Sequence, residues 1–363
     1  MRFQYHIFIS IPIVAALLLA SCSKDDSNPA NSDTQKPSVS FVQPSTGYLT
    51  KDSVLTVELS ASDNVGVQRI EIFFDGAATP AATLTASPWL AHPSIATLST
   101  GAHTVSARAY DAAGNSAEAG PVPFKVLGAD ALMIRFKAGS VFVYDRWDLD
   151  ENSVKVPGTQ GVYTSRILSN GGVTLAGYND WIYNISTDSR LTKIDTLRGR
   201  TDATGDLMLY GFVRESLRRF MEGVSGGSSG TLPDPSWDII GKFNDANGNP
   251  LPLGTQWDIG PSGGASISVD FNGFPLNITI KFKGSLVSRS DVVTVGGKGI
   301  RTWKVKITAS FSILGNSNQI VINAWFSDDP NGQIKLLQEG TTVTVLTQSF
   351  PVPGDIQELV SYQ

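Results

Sequence analysis

The chain has 363 residues with 28 basic and 33 acidic side chains, a formal charge of -5, and a single cysteine, Cys22. One thiol excludes an internal disulfide, and an acidic balance with no basic run longer than the Arg218-Arg219 pair argues against nucleic acid as a partner. Thirty-five glycines and 19 prolines fit many strands and turns, and the length suffices for two domains that each bury sheet faces.

In chain order the first element is an apolar stretch. Arg2 is the only charged side chain before Lys24, and the run from Ile7 to Ala20 is apolar except for Ser10, with Pro12 inside it. The run is shorter than the roughly 20 residues of a spanning helix and ends in small residues, the layout of a signal peptide over residues 1–21. Leu19-Ala20-Ser21-Cys22 resembles the lipobox of bacterial lipoproteins. That resemblance implies a diacylglyceryl group on the Cys22 sulfur, cleavage before Cys22 and acylation of the new amino terminus. A thiolate is the side chain suited to a thioether link near neutral pH, and two or more acyl chains hold a protein stably at a membrane surface. The membrane is therefore an expected partner. Ser23-Lys24-Asp25-Asp26 resembles the acidic signals that send some lipoproteins to the exterior of the outer membrane, so the expected location is the outer membrane, lipid-anchored and facing outward.

Residues 22–36 carry almost nothing to bury and read as a flexible tether. From 37 to 127 apolar residues alternate: Val39 and Phe41, then Leu55, Val57, Leu59 and Ala61, then Ile70, Ile72 and Phe74, then Val105, Ala107 and Ala109. Period-2 patterning at this spacing predicts a β-sandwich. Ala61-Ser62-Asp63-Asn64-Val65-Gly66-Val67, Phe73-Phe74-Asp75-Gly76 and Ala107-Arg108-Ala109-Tyr110-Asp111-Ala112-Ala113-Gly114-Asn115 occur in this order and resemble bacterial Ig-like domains. Asp63, Asn64, Asp111 and Asn115 are oxygen donors that suit calcium, but no bidentate Glu completes a set, and turn chemistry is the simpler explanation. The expectation is therefore no metal and no cofactor.

Beyond Gly128-Ala129-Asp130, residues 131–363 predict a larger antiparallel β domain, a half-barrel or a sandwich, with one short helix. Leu276, Ile278, Ile280 and Phe282 alternate with polar residues, as do Trp303, Val305, Ile307, Ala309 and Phe311, giving strands with one dry face. Further strands are expected at Ile320–Ser327, Ile334–Gln338 and Thr342–Ser349. Val213, Leu217, Phe220 and Met221 form a helical stripe. The fold class as a whole is all-β. Long antiparallel strands with a single helix are similar to the half-barrel of lipoprotein carrier proteins, and equally to carbohydrate-binding β-sandwiches.

No histidine or cysteine follows His103, which removes Ser-His-Asp and Cys-His triads and histidine-bound zinc from the larger domain. No phosphate-binding glycine loop occurs, so nucleotide is not an expected partner. Asp145, Asp148, Asp150, Asp180, Asp238 and Asp258 are numerous enough to place two acids across a cleft. Asp148-Leu149-Asp150-Glu151-Asn152 opens like a calcium loop but has Ser153 where Gly is needed and Thr159 where Glu is needed, so a polar turn is expected. Six tryptophans lie in this domain: Trp147, Trp181, Trp237, Trp257, Trp303 and Trp325. Trp303 is in phase with a buried face, and one of Trp147 and Trp325 is expected beside it in the core. Trp237-Asp238-Ile239 and Trp257-Asp258-Ile259 repeat a tripeptide that pairs an aromatic plate with a carboxylate, so Trp237, Trp257, Asp238 and Asp258 are the candidate ligand-binding residues. The sequence thus points to a non-enzymatic envelope lipoprotein whose Ig-like spacer presents a glycan-binding domain, a layout similar to outer-membrane glycan-binding lipoproteins. The alternatives are a carrier of lipid or another apolar ligand, acting in envelope assembly, and a glycoside hydrolase using two carboxylates.

Overall fold

The structure, a computed structural model, describes residues 33–44, 47–50, 54–190, 194–202, 204–225, 232–271 and 274–363. Cys22, the signal peptide, most of the tether and the glycines at 226–230 lie outside the described residues. No helix among those described is long and apolar enough to cross a membrane.

The first eight strands are β1 (Ser38–Gln43), β2 (Gly47–Thr50), β3 (Val57–Ser62), β4 (Val67–Phe74), β5 (Ala82–Leu84), β6 (Leu90–Ala91), β7 (Gly101–Asp111) and β8 (Ser116–Leu127). They form two facing sheets, ordered β1-β3-β6 and β2-β8-β7-β4-β5. The alternating residues of β3, β4 and β7 close the core between them: Val57, Ile70, Ile72, Val105 and Ala109 are fully buried. Each such aliphatic side chain contributes about 1.5–3 kcal/mol by leaving water.

The remaining strands are β9 (Val141–Leu149), β10 (Gly161–Ser169), β11 (Ile182–Asp188), β12 (Ile194–Thr201), β13 (Leu207–Tyr210), β14 (Trp237–Gly241), β15 (Gln256–Ile259), β16 (Ala265–Phe271), β17 (Phe274–Val295), β18 (Lys298–Ile313), β19 (Asn316–Asp328), β20 (Asn331–Gln338), β21 (Thr341–Val345), β22 (Gln348–Val352) and β23 (Gly354–Tyr362). Thirteen of them make one sheet, β14-β13-β12-β11-β10-β9-β23-β20-β19-β18-β17-β15, with β16 on β17. It is an antiparallel sheet curved around a single helix, α1 (Phe212–Ser225). One strand expected at Thr342–Ser349 is instead the hairpin β21-β22, because the chain turns at Leu346, whose φ is +56°.

The helix forms as its stripe predicts. Val213, Leu217 and Met221 are buried with Ile240, Phe243, Ile267, Ile280, Phe282, Leu286 and Val305, and the Phe220 and Phe311 rings meet edge to face at 5.0 Å. The inside of the curve is thus filled by side chains from the helix, the sheet and the segment containing Leu132 and Ile134. Of the tryptophans, Trp181, Trp303 and Trp325 are buried, and Trp147 is partly exposed.

The two domains dock directly. Thr100 donates to Asn249 at 2.7 Å, the Lys125 ammonium donates to the Ala246 carbonyl at 2.8 Å, and the Gly128 N–H donates to the Gly248 carbonyl at 2.9 Å. The hinge sequence is held as well, since the Trp303 indole N–H donates to the Asp130 carbonyl at 2.9 Å.

Candidate functional site

The two Trp-Asp-Ile tripeptides occupy the two ends of the large sheet, β14 and β15, and have opposite alternation. In antiparallel pairs, residues in register point to the same side. Trp257 pairs with Gly284 and Ile259 pairs with Phe282, so this tryptophan faces the filled interior, while Asp258 pairs with Lys283 and faces out. Trp237 pairs with Tyr210 and Asp238 with Leu209, so here the tryptophan faces out and the acid faces in.

Each inward residue has a structural task. The Trp257 indole N–H donates to the Ile239 carbonyl of β14 at 2.9 Å, which fastens the two edges of the sheet together across a seam. Its ring lies against Gly284, where any Cβ would collide with it; the glycine is required by close approach. Asp238, 2% exposed, accepts the Val213 N–H at 2.9 Å and the Ser236 hydroxyl at 2.8 Å. It caps α1 from a neighbouring strand, satisfying a donor that the first turn leaves unpaired. Burial pushes its carboxyl above the usual range, against the lowering effect of those hydrogen bonds. Trp257 and Asp238 therefore do not build a ligand platform with Trp237 and Asp258, and this corrects the paired site expected from the repeat.

Trp237 does stand in an aromatic cluster on the outer surface. The Tyr210 ring lies 5.2 Å away and the Tyr178 ring meets it edge-on at 6.2 Å. Arg200 supports the cluster from beneath: its guanidinium lies 3.8 Å from the Tyr178 centroid and 5.8 Å from that of Trp237, and it grips Asp180 through two hydrogen bonds of 3.0 and 2.8 Å. Those bonds hold the Asp180 carboxyl below the usual range. Tyr178 is 42% exposed, so the cluster offers a ring to solvent from a clamped base. Tyr178 reaches it from the glycine-rich β10-β11 connection and Tyr210 from the end of β13, positions that no motif marks.

Across the seam the same outer surface is polar. An open groove of about 490 Å³ is lined by Thr279, Lys281, Ser310, Asn318 and Gln319 among others. A second, of about 250 Å³, shares Ser310 and Gln319 and continues to Lys283, Lys306, Thr308 and Gln256 of β15. Asp258 offsets Lys283 at 3.2 Å. Lys281 and Lys306 have no ion pair among the described residues.

The other acids singled out in the sequence are engaged separately. Asp148 pairs with Arg190 at 2.9 Å, Asp150 accepts the N–H groups of Asn152 and Val154 as a turn residue, and Asp145 lies 3.5 Å from the Gln160 amide. A partly buried network beside them, Arg146-Asp188-Arg190 with Asp355, was not legible in the sequence. Burial raises the Asp188 pKa, but Arg190 and Arg146 outweigh it and leave the carboxyl below its ordinary value.

Residues 37–107 match the sequence profile of the bacterial Ig domain. The N-terminal module is a bacterial Ig domain. Its two-sheet sandwich extends through β8 to Leu127. Among curated proteins none matches the chain. Among solved structures it is similar to an exported protein with a YmcC-like fold from Bacteroides fragilis, at 12% identity and a TM-score of 0.33 over 64% of this chain and 99% of that one. A lipoprotein from Parabacteroides distasonis gives 13% identity and a TM-score of 0.36 over 64% and 99%. The fibronectin(III)-like modules of Clostridium thermocellum CbhA give 13% and 0.23 over 44% and 92%. All three superpose loosely.

Proposed function

We propose that this protein is a non-enzymatic envelope lipoprotein, anchored through Cys22 in the outer membrane and facing the exterior, whose large β domain binds glycan on its outer surface. The observation that carries this reading is the Trp237-Tyr210-Tyr178 cluster, in which Tyr178 is exposed beside the half-buried Trp237 and Tyr210 rings, on the same side of the sheet as a groove of hydroxyls, amides and lysines. Sugar rings stack their C–H faces on such plates, and their hydroxyls exchange hydrogen bonds with Ser310, Thr308, Gln319 and Asn318. Lys281 and Lys306, without acidic partners among the described residues, suit a glycan that carries negative groups. The filled interior favours an outer-surface site over an enclosed apolar one. The bacterial Ig domain, docked through Thr100 and Lys125, then serves as a spacer fixed to the head it carries.

Two measurements test this. Mass analysis of the membrane-extracted protein is expected to show a triacylated or diacylated Cys22 as first residue; a free thiol or an intact leader refutes the anchor. A glycan array probed with the mature chain is expected to return a related set of acidic or neutral polysaccharides, lost with Trp237→Ala; binding indifferent to Trp237→Ala removes the site.

A further inference from the structure

Four lysines share the outer face of the two longest strands. Lys281 and Lys283 alternate on β17 with Ile280 and Phe282, and Lys304 and Lys306 alternate on β18 with Trp303, Val305 and Ile307. The apolar set is buried in the core, so all four ammonium stems stand on the opposite, outer side. Register sets their heights. Lys281 is level with Ser310 and Lys283 with Thr308, while Lys306 faces Ser285 and Lys304 faces Ser288. The cations therefore occupy successive rungs of β18, those of Ser310, Thr308, Lys306 and Lys304, at steps of about 7 Å over a span of about 20 Å.

Such a ladder is costly without a partner. Each lysine lies opposite a hydroxyl on the paired strand, where a carboxylate would stabilise it across the strands, and neighbouring ammonium groups repel one another. Other lysines of this domain are matched: Lys242 with Asp206 at 3.0 Å, and Lys335 and Lys155 with Glu358 at 2.8 and 3.0 Å. On the ladder only Lys283 has such a pair among the described residues, with Asp258 at 3.2 Å. Lys304 lies 4.7 Å from the centroid of the Trp325 ring, whose indole N–H is donated to Asp291. The ladder is also recessed. Lys281 and Ser310 line the groove of about 490 Å³, and Lys283, Lys306, Thr308 and Ser310 line that of about 250 Å³. Two grooves that meet at Ser310 and follow the strands suit a chain in single file better than a flat bilayer.

We propose that the ladder selects a linear polysaccharide with carboxylate or sulfate groups recurring along it, laid lengthwise on β17 and β18. This rests on the reading of the outer surface as glycan-binding, and adds the class of glycan, the direction in which it lies and a contact surface separate from the Trp237 cluster. Lys281 and Lys306 meet the acidic groups, and the Ser310 and Thr308 hydroxyls between them meet sugar hydroxyls. An ammonium is a point charge on a flexible stem, so the ladder reads the recurrence of charge more than the geometry of any one acidic group. Each lysine engaged releases bound counterions from the polymer, which makes affinity fall with salt in proportion to their number.

The test uses the mature chain with polygalacturonate, dextran sulfate and neutral dextran as probes, read by calorimetric titration at low and moderate sodium chloride. Both acidic polymers are expected to bind more tightly than dextran, with affinity falling about tenfold over a fourfold rise in salt. Lys281→Gln combined with Lys306→Gln is expected to weaken acidic-polymer binding about tenfold at low salt and to flatten the salt dependence. Its melting temperature stays level or rises, because like charges are removed. Lys137→Gln combined with Lys298→Gln, which removes the same charge from exposed positions off the ladder, leaves binding unchanged. Acidic polymers bound no better than dextran, or bound equally by wild type and the ladder variant, overturn the proposal. If a glycan from the array is then still lost with Trp237→Ala, the glycan reading stands without the ladder. Ladder-dependent polymer binding that survives Trp237→Ala supports the ladder and removes the aromatic site instead. Lysine-dependent binding to vesicles of anionic phospholipid, with no polymer bound, overturns the proposal in favour of a membrane surface.

Discussion

The same three residues, Trp-Asp-Ile, end up with opposite duties at the two edges of one sheet. At β15 the tryptophan turns inward, lies on Gly284 and donates to β14, closing the seam, while Asp258 stays at the surface beside Lys283. At β14 the aspartate turns inward to cap α1, and the tryptophan joins Tyr178 and Tyr210 outside. A one-residue change in phase decides which side chain is structural and which is free for a ligand. Identical local sequence therefore does not imply a repeated site.

The largest effect that sharpens this contrast is expected at the seam. Trp257→Ala removes both a large packed ring and the only side-chain hydrogen bond described between the two sheet edges. It should cost about 3–5 kcal/mol in urea unfolding, and Gly284→Val should be comparably damaging through the collision with the ring. Next is Asp238→Ala, expected to cost about 1–2 kcal/mol as a lost helix cap. Asp238→Asn retains an acceptor and should cost much less near neutral pH. Because burial raises the Asp238 pKa in the folded state, its contribution to stability is fully present below the unfolded value and declines as pH rises through the folded one. The Asn variant should lack that decline in a pH series of melts.

Trp237→Ala, by contrast, should cost less, about 1 kcal/mol, because its ring packs on Tyr210 and Tyr178 outside the core. A loss comparable with that of Trp257→Ala would erase the distinction between the two tryptophans. The smallest effect concerns the far side of the helix. Arg218 and then Arg219 hold Glu215 down, against burial, at a pKa of about 2, from an ordinary value of 4.5. Its contribution is present above the ordinary value and is lost as pH falls towards about 2. Glu215→Gln should flatten the acid limb of the melting curve over that window; an unchanged limb means the exposed pairs do nothing measurable.

Much of the fold is written in period. The alternation in β3, β4, β7, β17 and β18 predicts strands of all three large sheets, and Val213, Leu217, Phe220 and Met221 predict the helix, because burial of one face imposes the repeat directly on the residues. The β21-β22 turn left no such trace: Leu346 and Thr347 are not turn formers, and Leu346 takes a left-handed conformation that its side chain gives no reason to expect. The site was legible by residue type alone. That Trp237 faces out and Trp257 in depends on partners far along the chain, Tyr210 and Gly284, and a tripeptide carries no record of its partner strand. Asp33 escaped notice for the same reason, since nothing in the tether's composition marks it as an acid that comes close to Asp63 and Asp111.

The most direct test is a calorimetric titration of the mature chain, Trp237→Ala and Trp257→Ala with a glycan selected on the array, each variant first shown to be folded at the working temperature. The account predicts that Trp237→Ala weakens binding about tenfold, or about 1.4 kcal/mol, with a smaller drop in melting temperature than Trp257→Ala, while any folded Trp257→Ala binds as the wild type does. Equal affinity for wild type and Trp237→Ala, or a loss confined to Trp257→Ala, would contradict it.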